Sequence, residues 1–375
     1  MRNVNTNAEH SVLHVTQVAS YGGLINCLAD HVAAQVAHGW RVSVACPPGD
    51  LQDLARAVGA QVLTWDAQRS PVRGLLPECL TLRRLVALSR PDVVHLHSSK
   101  AGLVGRLVLR GRRPVVFSPH SWSWNHVTGA TAVAARLWEL WAARWVDLVV
   151  CVSQQERAEG EQAGVRSRYR VVPNAVDLSA LMAHRPGDAP ASAVPTGQGA
   201  RAVCVGRLCR QKGQDVLLDA WQAVTEAIPD AELLVIGDGP DLEVVSRRAA
   251  ELQNVVLAGR LPRSEVLAHV AAADVCVQPS RWEGMSLAML EARALGTRVI
   301  ACDVAGARES LGDGAGVVVP VDDVPALSRA LVHALRMPRA PREDTTGPRK
   351  DDLEESAKGL MDSYSEVLRA RAADG

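Results

Sequence analysis

Lysine is scarce in this chain: four of its 41 basic residues are Lys, and the other 37 are Arg. A single Arg therefore says little, and a well-placed Lys says more. Aromatics are scarce too, with one Phe and three Tyr in 375 residues. No CxxC pair occurs among the eight Cys (Cys27, Cys46, Cys79, Cys151, Cys204, Cys209, Cys276 and Cys302), which argues against a zinc ribbon or a disulfide framework. Most sit in apolar runs, so buried thiols in a reducing cytoplasm are expected. No GxxxxGK[ST] loop is present, and "GDGPDLE" (237 to 243) lacks the third glycine of a dinucleotide fingerprint. No two Asp lie two apart, so a DxD metal clamp is missing, and the expectation is no metal and no cofactor. A run of about 18 apolar residues and a basic leader followed by an apolar stretch are both absent, so neither a membrane span nor an export signal is expected. With a formal net charge of zero, nothing points to nucleic acid.

Short runs rich in Val, Ile and Leu recur between helical stretches: "VLHVT" (12 to 16), "RVSVAC" (41 to 46), "DVVHLH" (92 to 97), "PVVFS" (114 to 118) and "DLVVCVS" (147 to 153). The pattern restarts with "AVCVG" (202 to 206), "ELLVIG" (232 to 237), "VVLAG" (255 to 259), "DVCVQP" (274 to 279), "RVIAC" (298 to 302) and "GVVVP" (316 to 320). Such alternation reads as α/β with parallel βαβ units and helices on both faces of each sheet. Residues 184–200, dense in Pro, Gly and Ala, read as a linker between an N-terminal domain (1–183) and a C-terminal domain (201–340), with a cleft between them. Residues 341–375 read as a polar segment and a last helix that packs back toward the first domain.

Ligands of open parallel sheets bind beyond the carboxyl ends of the strands. After the first strand, Gly22 and Gly23 precede a helix and allow close backbone approach. After the first strand of the second half, "VGRLCRQKG" sets Gly206, Arg207 and Lys212 between strand and helix, an anion site suited to phosphate. In "PSRWEGMSLAMLEARALG" (279 to 296), Glu283 lies in a loop, and Gly284, Met285, Ser286 and Leu287 open a helix whose N–H groups form a second anion site. Glu291 falls on that helix's apolar face, where a carboxylate needs a donor. The two carboxylates are on the order of 12 Å apart, the length of a sugar joined through a diphosphate to a ribose. The bland alternative is a solvated Glu283 and a Glu291 paired with a neighbour such as Arg298.

These motifs, with "HLHSSKAGLVGR" and "VVPNAVDL" in the first half, resemble the retaining, nucleotide-sugar-dependent glycosyltransferases of family 4 (glycosyltransferase group 1) over residues 11–335. The resemblance implies a GT-B fold, two Rossmann-like domains facing across a cleft, and transfer of a sugar from a nucleotide-diphosphate sugar to an acceptor hydroxyl with retention. It implies that Arg207 and Lys212 hold the diphosphate, Glu283 the donor sugar and Glu291 the ribose, and that Gly22 and Gly23 form the loop beside the donor. It matches His120, in "VVFSPH", to the residue that hydrogen-bonds the transferred sugar or the acceptor. The implied catalytic set is His120, Arg207, Lys212 and Glu283, with a UDP-sugar favoured over a GDP-sugar. The acceptor is expected to be a cell-envelope or lipid-linked saccharide or a specialised metabolite. Ser286, Ala175 and the stretch after Gly23 depart from the family's usual residues and leave the sugar open.

His95 and His97 read as packed strand residues, and Trp138, Trp141 and Trp145, three and four apart, as core. Arg106, Arg110, Arg112 and Arg113 form a basic stretch that fits a solvated face or peripheral contact with anionic lipid on the inner side of the cell membrane. Three other functions share parts of this pattern. A sugar-nucleotide epimerase and a non-catalytic nucleotide-sugar binder would use the same fold, and a serine hydrolase would use Ser286 with Asp303 and His333.

Overall fold

The computed structural model describes residues 10–20, 22–68, 70, 73–177, 199–312, 316–338 and 353–373. The backbone forms two units, Met1–Ala175 with Lys350–Gly375, and Val176–Arg349. All but the last two positions of the expected linker, 184–200, lie outside the described residues.

In the first unit seven parallel strands, β1 (Ser11–Thr16), β2 (Arg41–Cys46), β3 (Gln61–Thr64), β4 (Val93–His97), β5 (Val115–Ser118), β6 (Leu148–Cys151) and β7 (Tyr169–Val171), lie in the order 3-2-1-4-5-6-7. Helices α1 (Gly23–Ala37), α2 (Asp50–Ala57), α3 (Leu75–Ser89), α4 (Ser98–Leu109), α5 (Gly129–Ala142) and α6 (Gln154–Ala163) connect them. Successive strand residues face opposite sides of the sheet. Val12, Val44, Val93 and Val116 thus join Ile25, Leu28 and Val32 of α1 in one core, while Leu13, Val94, Leu96 and Phe117 join Leu82 and Val86 of α3 and Val104 of α4 in another. Every apolar run named in this half of the sequence is a strand. The two it leaves out, β3 and β7, are the edges of the sheet. Edge strands are short and only half-covered, so they lack the near-continuous apolar run that marks a buried parallel strand.

In the second unit β8 (Arg201–Val205), β9 (Glu232–Ile236), β10 (Val255–Gly259), β11 (Val275–Gln278), β12 (Arg298–Cys302) and β13 (Gly316–Val319) form a parallel sheet in the order 10-9-8-11-12-13. Its helices are α7 (Gln214–Ala227), α8 (Leu242–Ala250), α9 (Arg263–Ala272), α10 (Leu287–Ala294), α11 (Ala307–Leu311) and α12 (Val324–Arg336). The last helix, α13 (Leu353–Ala373), belongs to the first unit, where Leu360, Tyr364 and Val367 fill the core beside α1. Both sheets reverse strand order, between β1 and β4 and between β8 and β11. At such a switch point the loops leaving the two strands diverge and open a crevice. The candidate residues after β1, β5, β8 and β11 all leave carboxyl ends of strands at or next to these points.

Candidate active site

In the second unit the loop after β8 and the loop after β11 are joined by several contacts. Gly213 has φ 66°, and a Cβ there would stand 2.0 Å from the Pro279 carbonyl oxygen, so only glycine permits this approach. Arg281 donates its backbone N–H to the Gln211 carbonyl at 2.7 Å, and its guanidinium reaches the Arg210 carbonyl at 2.9 Å. The same guanidinium holds Asp215 with two bonds of 2.9 and 2.7 Å and Asp322 with one of 2.7 Å. Burial pushes the Asp215 carboxyl up, but the Arg281 guanidinium outweighs it and keeps that group below the usual carboxylate range. In an Arg-rich chain nothing local marks Arg281, and the sequence reading missed it.

This brace brings Lys212 and Glu283 together. The Lys212 ammonium donates to Glu283 Oε1, which also accepts from Ser280 Oγ at 2.8 Å. Glu283 is 9% exposed. It is a buried, paired carboxylate, and the solvated reading fails. Arg207, half-buried on the same loop, accepts a bond from Gln214 Nε2 at 3.1 Å through its carbonyl, and its guanidinium has no partner among the described residues. Gly206 lies beside the Lys212 stem, 3.4 Å from Cδ to an added Cβ.

Helix α10 starts at Leu287 with Ser286 as its N-cap, so Gly284 and Met285 belong to the preceding loop rather than to the helix. Glu291 is 7% exposed, and the donor that its position demands is Arg263, the first residue of α9. Arg263 reaches Glu291 Oε1 through Nε at 3.2 Å and Nη2 at 3.1 Å. Arg298, the neighbour named in the bland alternative, instead donates to the carbonyls of Ala334 and Met337. The hydrolase constellation does not form either. Ser286 is buried on the N-cap, Asp303 is bound by Arg308 at 2.7 and 3.0 Å, and no hydrogen bond links either to His333.

In the first unit Gly22 and Gly23 are exposed at the start of α1, with Gly22 at φ 132°. Beyond β4 and β5, Ser98, His120 and Ser121 have φ of 68°, 51° and 84°. Non-glycine residues are held there only when neighbours over-determine them, and such strain clusters at functional sites. For Ser121 that neighbour is Glu156. It accepts from the N–H groups of Ser121 at 2.6 Å and Val152 at 2.8 Å, and its carbonyl accepts from Trp122 Nε1 at 2.8 Å. His120 Nε2 lies 3.0 Å from His97 Nδ1, and His97 Nε2 lies 2.9 Å from His14 Nδ1. His95 bonds Tyr364 at 2.7 Å and Ser118 at 2.8 Å. His95 and His97 are packed as expected, yet they also belong to this network, which the sequence reading did not assemble.

Burial lowers His14, His31 and His120 to about 4 and leaves His95 and His97 well below 6.5, so all five rings are neutral at pH 7. His14, His95 and His97 bring ligand-type atoms within 4.8 Å of one another, and the nitrogens of all three rings are taken up by the hydrogen bonds just described or by the bond from His14 Nε2 to Gln35 at 2.8 Å. His31, His95, His97, His120, Cys27 and Asn174 line a small cavity.

Two surface expectations change. Arg106 is 1% exposed rather than solvated: it pairs with Glu139 at 2.7 Å and lies over the Phe117 ring at 4.3 Å. Arg110 and Arg112 are exposed and Arg113 half-buried. The Trp stripe is not core: Trp141 is 46% exposed, and Trp138 and Trp145 are half-buried beside it.

Both halves match known families. Residues 21–180 match "Glycosyltransferase Family 4", and residues 199–337 match "Glycosyl transferases group 1". A GDP-mannose-dependent α-(1-6)-phosphatidylinositol monomannoside mannosyltransferase of Mycolicibacterium smegmatis is 32% identical over 292 residues, 72% of this chain and 75% of that protein. The chain belongs to glycosyltransferase family 4. Another relative of this family 4 enzyme is the Escherichia coli UDP-Gal:α-D-GlcNAc-diphosphoundecaprenol α-1,3-galactosyltransferase, 28% identical over 68% of this chain and 69% of that one. Two solved structures share the fold of this glycosyltransferase. Sucrose-phosphate synthase of Thermosynechococcus elongatus superimposes with a TM-score of 0.73 at 21% identity, covering 97% of this chain and 98% of that chain. Anabaena HepE, solved in complex with UDP and glucose, gives 0.71 at 19% identity, covering 98% and 99%. The fold is GT-B, built from two Rossmann-like domains, and the enzyme is a glycosyltransferase. A serine hydrolase is thereby excluded.

Proposed function

We propose that this family 4 glycosyltransferase moves a hexose from a nucleoside diphosphate sugar to a hydroxyl of a cell-envelope or lipid-linked saccharide, with retention at the anomeric carbon. The observation that carries the reading is the junction of the loops after β8 and β11, where Lys212 and Glu283 meet beside Arg207 and the N-terminus of α10. Cations and helix N–H groups suit phosphate oxygens, and a carboxylate suits sugar hydroxyls. In the proposed reaction the acceptor hydroxyl attacks the anomeric carbon on the face that the diphosphate is leaving. The bond from carbon to phosphate oxygen breaks, and the departing oxygen takes the acceptor proton, so no separate carboxylate base is required. Arg207, Lys212 and the N–H groups at Leu287 stabilise the leaving charge. Glu291 accepts from the ribose, Gly22 and Gly23 form the backbone beside the donor, and His120 bonds the transferred sugar or the acceptor hydroxyl.

The relatives' use of GDP-mannose and UDP-galactose supports a nucleoside diphosphate hexose and makes these the two donors to test. A lipid-linked acceptor accords with the exposed Arg110 and Arg112, since Trp145 Cδ1 lies 3.7 Å from an added Cβ on the intervening Gly111, and this basic corner thus abuts the aromatic stripe. Contact with anionic lipid there would make the enzyme peripheral on the cytoplasmic face of the membrane; among the described residues no helix is long and apolar enough to cross one. The test is release of nucleoside diphosphate from either donor, with and without a lipid extract as acceptor, and the anomeric configuration of the product by NMR. Release that needs no acceptor, or an inverted product, would overturn the proposal. Transfer is expected to persist in EDTA.

A further inference from the structure

Three side chains on three elements and a fourth on a loop form an unbroken line: Gln35 on α1, His14 on β1, His97 at the end of β4, and His120 beyond β5. Period-2 alternation and the register of the sheet create it. His14 pairs with His95, and Thr16 with His97, so His14 and His97 share the sheet face that α1 covers. Gln35 and His14 are completely buried and His97 is 4% exposed. The contacts run Gln35 Oε1 to His14 Nε2 at 2.8 Å, His14 Nδ1 to His97 Nε2 at 2.9 Å, and His97 Nδ1 to His120 Nε2 at 3.0 Å.

A neutral imidazole has one N–H and one lone pair, on different nitrogens. A carbonyl oxygen has no hydrogen to give. With the amide nitrogen of Gln35 turned toward the Tyr364 hydroxyl and its oxygen toward His14, His14 donates from Nε2 and its Nδ1 is left as an acceptor. His97 must then donate from Nε2 to His14, and His120 from Nε2 to His97. The proton positions of all three rings follow from which end of the Gln35 amide faces His14. What remains at the open end is the lone pair of His120 Nδ1, an atom that has no protein partner among the described residues and is not enclosed. The neighbouring ring is held differently. His95 ends on the hydroxyls of Tyr364 and Ser118, and hydroxyls both donate and accept, so nothing fixes its tautomer.

We propose that Gln35 is a positioning residue of this glycosyltransferase: acting through His14 and His97, it fixes His120 as the Nε2–H tautomer, so that Nδ1 meets the substrate as an acceptor of a hydroxyl proton. The assignment deepens the role given above to His120 and rests on it for its consequence. It does not rest on it for its test. A metal ion at His14, His95 and His97 would require lone pairs that these hydrogen bonds use, so the proton chain accounts for the cluster better.

The experiment is long-range ¹H–¹⁵N correlation NMR of the full chain labelled with ¹⁵N-histidine at pH 7.5, with His120 assigned by its loss in His120→Asn. The expected spectrum has His14, His97 and His120 all in the Nε2–H form. In Gln35→Leu, His120 leaves that single form. His120 protonated on Nδ1 in the native chain, or an unchanged pattern in a folded Gln35→Leu protein, would overturn the proposal. If Gln35→Leu does not fold, the native spectrum still decides. Because the spectrum needs no turnover, expected tautomers in a chain without transfer activity would sink only the functional reading. An active chain with the wrong tautomer would sink this one.

Discussion

Replacing Glu283 by Gln removes a charge and little else, and its effect on a bare nucleoside diphosphate has a calculable direction. Lys212 is bound to Glu283, and Ser280 and Gln211 hold the carboxylate in place. An incoming diphosphate must draw the ammonium away from that carboxylate. Lys212 keeps its charge, so the amide still accepts a charged hydrogen bond, and what is lost is the ion pair, worth up to about 1 kcal/mol, which makes Lys212 easier to redirect by up to about fivefold in Kd. Glu283→Gln should thus bind GDP or UDP more tightly while transfer falls, because the sugar has lost its carboxylate. Glu291→Gln should do the opposite to the diphosphate, weakening it about tenfold or more through the lost ribose contact. Isothermal titration of both variants with the bare diphosphates, each checked for folding by circular dichroism, separates them. Losses of equal size, or no change in either, would refute the assignment of the two carboxylates to opposite ends of one ligand.

Arg106→Met leaves Glu139 buried and uncompensated and should cost about 3–5 kcal/mol in urea denaturation, while adding Glu139→Leu should restore most of it. A solvated Arg106 would show neither effect. His14, His31 and His120, lowered to about 4 chiefly by burial, are neutral in the fold, whereas the unfolded chain takes up their protons below about 6.5. Their contribution to stability is therefore complete above pH 6.5 and is lost as pH falls toward 4, so the urea midpoint should drop between pH 7.5 and pH 5.0; an unchanged midpoint would contradict their burial as neutral rings. Changing Arg110, Arg112 and Arg113 to Ser should reduce sedimentation with vesicles containing phosphatidylglycerol and leave bare diphosphate affinity unchanged. Equal sedimentation would assign that corner to solvent.

The sequence alone determined what local periodicity can encode. Each buried parallel strand is a continuous apolar run, so the strands of both sheets were legible except for the half-covered edges Gln61–Thr64 and Tyr169–Val171. Gly213 and Lys212 at a strand-to-helix junction were legible as well, because turn chemistry and rare residues act within a few positions. The demand that Glu291 find a donor could be read from its place on an apolar helical face. Which residue meets that demand could not, because Arg263 is one of 37 arginines and lies 28 positions away on another helix. The same holds for Arg106, whose side chain looks solvated in sequence and is buried only because Glu139, 33 positions on, comes to meet it. The histidine line is the extreme case. Gln35, His14, His97 and His120 become neighbours only because β1 pairs with β4 and β4 with β5 while α1 crosses their face, and Tyr364 reaches His95 across 269 positions. Hydrogen bonds act over about 3 Å, and sequence spacing carries no information on that scale until the chain has folded.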